Sequence, residues 1–318
     1  MGNCFHPRTD VVTPLGRGDN SRVVAYAASI PLTSSEYISA LAGEESRCCI
    51  AQDHFLSVIS SFTLKAHFDA AVGMVKCVAL KGDTVLAGGK VIRQMGLDGQ
   101  RLGELVGHDL PVTTIDCCPK SDLLASGSRD YSVRIWDLPT LKQLTMAKIN
   151  WNVVTCVKWL PVRQLLVQCS EDLQLRLWDV RERPIRATMA LTVGNNFATR
   201  CDVSEDYILT AHRGFNAEGC EAKMWDIRSE KHLMTFGGHK QSVESAVFCI
   251  GKVFTCAQDG GIRRFALDGR LEECWQHPSR HPFLHMLPYR KGLLGATSPA
   301  VLHFFEPVEP LTHAMGTL

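Results

Sequence analysis

The chain has 318 residues, 45% of them apolar, which is ordinary for a globular protein and enough for a sizeable core. Lys and Arg number 34 against 33 Asp and Glu, so at a net charge of +1 no basic field draws the chain to nucleic acid or an anionic membrane by charge alone. Thirteen cysteines without a C-x-x-C pair, and the lack of both a leader-like apolar opening and any apolar run of about 18 residues, predict free thiols in a reducing cytosol.

In chain order, Met1-Gly2-Asn3-Cys4 comes first. With Met removed, Gly2 is an acceptor for a myristoyl chain and Cys4 beside it for a palmitoyl chain, although His6 stands where the pattern asks for Ser or Thr. Two lipids hold a protein on a membrane where one gives only marginal binding. Residues 5–21, rich in Pro, Gly and mixed charge, read as a flexible tether, so the expected division is an extension over 1–21 and a repeat domain over 22–318. The Arg17-Gly18-Asp19 triplet in the tether is read as chance. Next come the apolar run RVVAYAASI at 22–30 and a degenerate unit over 36–65, with RCCIA and FLSVISS as its clearest strands. Residues 74–106 form another unit, with Met95 and Gly96 at its third-strand end. The clearest unit runs from 112 to 148 as VTTIDCC, LLASGS, YSVRIWD and KQLTMAK. Three similar groups of four follow, and the last unit, FLHMLP, KGLLGAT and AVLHFFE over 283–306, is one strand short. The strand-like run at 22–30 is the candidate to complete it, closing the sheet from both ends of the chain.

Three units end their third strand alike: VRIWD at 133–137, LRLWD at 175–179 and AKMWD at 222–226. The Trp-Asp pairs lie 42 and then 47 residues apart. A repeat of roughly 40–45 residues closing on Trp-Asp is the signature of the WD40 β-propeller. The expected fold is therefore all-β, with seven blades of four antiparallel strands; six or eight blades remain open. Such an architecture displays partner-binding loops far more often than it builds an active site, so no enzyme, no cofactor and no metal is expected, and the propeller is expected to be monomeric.

Gly107-His108, Ser126, Asp130 and Trp136 stand at the spacings at which WD40 blades link His, Ser or Thr, Asp and Trp in a hydrogen-bond relay. The unit at 239–265 keeps His239, Thr255 and Asp259 but has Phe265 for Trp; the unit ending at Trp178 keeps Asp172 but has Asn150 and Gln168. A Ser-His-Asp triad for acyl transfer is the competing reading of Ser126, His108 and Asp130, and no nucleophile elbow supports it. The longer spacing before Trp225 is an enlarged connection, HRGFNAEGCE at 212–221, whose Arg213 and Phe215 are candidates for a partner contact; a tolerated insertion is the alternative. Two Trp-Asp-x-Arg tetrapeptides end in Arg181 and Arg228 and resemble the box by which WD40 receptors dock on the cullin-4 adaptor. His277, His281 and His285 invite a metal reading, but Pro278 and Pro282 break any helix that would align them.

NVVTCVKWLP at 152–161, SEDLQLRLWD at 170–179 and CDVSEDYILTAHRGFNAEGCEAKMWDIR at 201–228 resemble the WD repeat-containing protein 31 family over roughly 107–250. Gly214, Phe215 and Glu218 to Ala222 carry the most specific part. The resemblance implies a non-enzymatic propeller of cilia, with partners among intraflagellar transport components, cargo adaptors and small-GTPase regulators. It implies a cytoplasmic protein, membrane-associated at the base of the cilium or flagellum if the lipids are present. No arginine finger can be nominated from the residues.

Overall fold

The computed structural model describes residues 8–10, 24–28, 38–44, 46–61, 63–149, 151–160 and 164–306. Every regular element among them is a strand, and the strands form seven antiparallel sheets. The first blade runs through Ala40–Glu44, Arg47–Gln52, Phe55–Ser60 and Thr63–Asp69 in simple order. Blades two to six repeat that meander over 77–105, 112–148, 154–192, 198–236 and 243–276. The seven-bladed count therefore holds.

The seventh blade closes the ring. Phe283–Tyr289, Gly292–Thr297 and Val301–Glu306 come from the end of the chain, and Val24–Ala28 pairs antiparallel with the last of them, Ala25 opposite Phe305 and Ala27 opposite His303. This is the strand that the sequence placed within 22–30. Outside it lies a fifth strand, Arg8–Asp10, paired with Ala25–Ala27. It falls in the stretch read as tether, where three polar residues carry no strand pattern.

Seven apolar clusters fill the seven blade-to-blade interfaces. One joins Leu86 and Leu105 to Leu124 and Trp136, and another joins Ile38 and Ile50 to Leu294 and Phe304. The second of these spans blades one and seven, so the ring has no unfilled seam. Trp136, Trp178 and Trp225 each end a third strand and pack on the preceding blade. Met95, Phe265 and Phe305 do the same in blades that lack Trp at that position. Burial of a large apolar side chain is what the position requires, which is why the repeat tolerates other residues there.

Three other Asp residues act on turns. Asp130, Asp172 and Asp259 each accept the backbone N–H two residues on, at 3.0, 3.1 and 2.9 Å, and so hold the tight turn between second and third strands. The residue inside each turn takes a left-handed conformation: Tyr131, Leu173 and Gly260. The twelve described cysteines are all free and ten are buried. Burial pushes the Cys48 thiol up to about 12 and Cys249 to about 11, so both stay protonated near neutral pH.

Candidate interaction surface on the upper face

The innermost strands all begin at one face of the ring, here called upper. That face carries the connections between blades and the turns between second and third strands; the lower face carries the remaining turns.

In the third blade the relay is complete. Trp136 Nε1–H donates to Ser126 Oγ at 2.8 Å, Ser126 meets His108 Nε2 at 2.7 Å, and His108 Nδ1 meets Asp130 at 2.8 Å. Because Asp130 can only accept when ionised, Nδ1 carries the proton and Nε2 accepts from Ser126. Burial opposes ionisation of Asp130, but hydrogen bonds from His108 and Ser132 outweigh it and hold the carboxyl well below the usual range. Gly107 precedes His108 because a Cβ there would lie 2.9 Å from the Trp136 ring and 2.6 Å from Arg134. Ser126 is wholly buried, with no surface from which a substrate reaches it. In the sixth blade His239 joins Asp259, at 3.1 Å, to Thr255, at 2.8 Å. In the fourth, Trp178 reaches Gln168 at 3.3 Å, and Gln168 Nε2 is left without an acceptor; Asn150 lies outside the described residues.

The fifth blade holds a relay that the sequence reading missed. Trp225 Nε1–H donates to Thr210 at 2.9 Å, Thr210 meets His212 Nε2 at 2.9 Å, and His212 Nδ1 donates to the Asn196 carbonyl at 2.9 Å. The histidine arrives from the same strand as the threonine, two residues on and so on the same face. Desolvation holds the buried His212 down at about 4, neutral under ordinary conditions.

His212 anchors the start of the enlarged loop. Phe215 and Glu218 exchange backbone hydrogen bonds of 2.9 and 3.0 Å across Asn216 and Ala217, both with positive φ (49° and 67°). That is a two-residue hairpin of the primed kind. The sixth blade's approach holds it from the side: Ala217 N–H donates to the Lys240 carbonyl at 3.1 Å, and Ser242 Oγ–H to the Gly214 carbonyl at 2.8 Å. Gly214 lies against the returning strand, where a Cβ would stand 2.1 Å from the Glu218 carbonyl oxygen. Phe215 is 79% exposed at the tip, and Arg213 lies 3.5 Å from Glu244 at the mouth of the central channel. Elsewhere on the upper face Trp151 is 84% exposed beside Tyr131, with Val106 and Leu110 exposed one connection earlier.

Arg181 and Arg228 lie on the lower face, in turns of the adjacent fourth and fifth blades. Arg181 folds back on Asp179, 2.5 Å away, and Arg228 pairs with Asp206. The histidines divide: His277 and His281 stack at 4.6 Å with His303 edge-on to His277, while His285 is buried against Arg200 and the Ile38 carbonyl. No group of three metal-ligating side chains is found among the described residues, and no helix among them is long and apolar enough to cross a membrane. Gly2 and Cys4 lie outside the described residues.

Residues 99–137 and 146–179 match the family described as WD domain, G-beta repeat. Similar curated proteins include eukaryotic translation initiation factor 3 subunit I of Neurospora crassa, 41% identical over 61 residues, which are 19% of this chain and 16% of that protein. The human protein of the same name is 40% identical over 60 residues, 19% of this chain and 18% of its own length. The chain thus spans less than a fifth of the length of these relatives. Repeat match and blade architecture together make the fold a seven-bladed WD40 propeller.

Proposed function

We propose that this propeller is a non-enzymatic interaction scaffold whose protein partner docks on the upper face at the 213–221 loop. One observation carries the reading: an aromatic side chain 79% exposed, at Phe215, on a turn held by hydrogen bonds to the neighbouring blade. Such an anchor loses little freedom when a partner covers it. Arg213 beside it supplies charge at the rim. Similarity to a named subunit of an initiation factor, over a short stretch, fits a propeller that works inside protein assemblies. The finer reading is a membrane-tethered scaffold in ciliary trafficking, which rests on the Gly2 and Cys4 pattern and the family resemblance over 107–250.

The test is affinity purification from ciliated cells of wild type, Phe215→Ala and Gly2→Ala. Phe215→Ala should lose the principal partners while keeping the wild-type melting temperature, because the ring is solvent-facing. Retention of every partner by that variant removes the loop from the account. Ciliary transport components lost from Gly2→Ala would support the tethered reading, and unchanged membrane fractionation would remove the anchor.

A second reading, a substrate receptor of a cullin-4 ubiquitin ligase, is favoured by the placing of Arg181 and Arg228 on one face of adjacent blades, both side chains largely exposed. Their existing Asp partners would have to be exchanged for the adaptor's groups. An Arg181→Ala/Arg228→Ala double variant that recovers the adaptor as well as wild type disposes of it.

A further inference from the structure

The channel through the ring encloses about 930 Å³ and is lined by ten charged side chains. They are sorted by height. In the lower half, carboxylates outnumber lysines, and Lys158 sits on Asp116 at 2.8 Å with Asp202 close by, which raises its pKa further above the usual lysine value. In the upper half stand Lys76, Arg200 and Arg213 against one carboxylate, Glu244. Glu244 is already matched, by Gln258 Nε2 at 2.6 Å and Arg213 at 3.5 Å.

Lys76 and Arg200 are left without a carboxylate, and Arg200 is the one that reaches across the channel. It leaves the innermost strand of the fifth blade and crosses to the seventh, where Nη2 donates to His285 Nδ1 at 2.6 Å. His285 Nε2–H in turn donates to the Ile38 carbonyl of the first blade at 3.0 Å. Both ring nitrogens are thereby assigned, and the ring is neutral. Burial and the adjacent guanidinium hold it so, with its pKa well below the usual histidine value. A neutral imidazole supplies no counter-charge. No carboxylate lies within ion-pair reach of Arg200 among the described residues. Of a guanidinium's five N–H donors, one is used by His285, which leaves about four for whatever the channel holds.

Arg200 is partly buried on the channel wall, and a cleft lined by cations in excess of carboxylates favours an anion that enters it. We propose that the upper channel is an oxyanion site, in which Arg200 takes a carboxylate or phosphate group through its planar fork, and Lys76 and Arg213 add charge at the rim. The acidic lower half repels an anion, so the group enters and leaves by the upper mouth. The site needs no docked protein; it shares Arg213 with the contact at Phe215 but centres on Arg200.

Isothermal titration of orthophosphate, and separately of acetate, into the full-length protein at fixed ionic strength tests this. Wild type should bind at least one of them saturably at one site, and Arg200→Gln should bind it about tenfold or more weaker. Arg200→Lys keeps the charge but not the fork and should also weaken binding; it serves if the Gln variant does not fold. Arg186→Gln, on the outermost strand of the fourth blade, should bind as wild type does. A capped phosphoserine tripeptide binding tighter than orthophosphate would place the anion on a partner chain, and one binding no tighter would make it a free ion; both require the site. Heat that does not saturate with either anion by about 20 mM, or equal affinity in wild type and both Arg200 variants, overturns the proposal.

Discussion

Ser126 is the hinge of the third-blade relay, since it accepts from Trp136 and donates to His108. Ser126→Ala leaves a buried indole N–H and a buried imidazole nitrogen unpaired, which should cost about 1–3 kcal/mol. A urea midpoint unchanged from wild type would show that the relay does not stabilise the blade. His212 makes a second prediction, in pH. Its folded pKa is near 4 against an ordinary 6.5, because burial penalises the charged ring. Between these values the unfolded chain holds a proton that the folded chain lacks, so stability falls as pH drops from about 6.5 to 4 and levels off below. His303, also near 4 through burial and then the adjacent His277 and His281, adds to the same slope. Each contributes a loss on the order of 3 kcal/mol across the window. Urea unfolding at pH 7, 6 and 5 should show the fall, and His212→Gln should flatten it; parallel curves for the two proteins would contradict the assignment. The spacing of His108, Ser126, Asp130 and Trp136 was enough to read the first relay. His212 does not stand at that spacing: the relay histidines of the third and sixth blades precede their first strand, whereas Thr210-x-His212 lies on one strand that puts both side chains on one face.

The loop at 213–221 announced itself as extra length between Trp178 and Trp225, yet its shape did not. A primed two-residue turn usually carries Gly at its second position, and here Ala217 stands there with φ of 67°. Ala in that conformation is strained, so Ala217→Gly should stabilise the protein by a few tenths to about 1 kcal/mol. Gly214→Ala should do the opposite, because the new methyl would meet backbone on the returning strand and force the turn out of place. Thermal unfolding with limited proteolysis of the loop reads both: faster cleavage in the glycine variant at position 217 would mean that the turn is not held as described. The channel crossing from Arg200 to His285 had no sequence signal. The two residues are 85 apart and belong to blades that are not neighbours, so only ring closure brings them together.

Closure is also where the whole molecule is most exposed to failure. Each blade buries its core only against its neighbours, and the seam between blades seven and one depends on a sheet whose fourth strand comes from the other end of the chain. The strand pattern and the short last unit were readable; the outer strand Arg8–Asp10 was not, being three residues without alternation. Two truncations separate the roles of this region. Deleting residues 1–7 removes Gly2 and Cys4 but leaves both strands, so membrane association should be lost, if those residues carry it, with the melting temperature unchanged. Deleting residues 1–30 removes Val24–Ala28 as well and leaves those N–H and C=O groups of Val301–Glu306 that faced it unpaired along an open edge. Such an edge invites pairing with another chain. The longer deletion should therefore melt several degrees lower and elute partly as oligomers, whereas the shorter one stays monomeric by light scattering. Equal melting temperature and mass for the two deletions would mean that the propeller closes without its N-terminal strand, and the seventh blade would then stand on its three C-terminal strands and the packing of Leu294, Leu302 and Phe304 against the first blade.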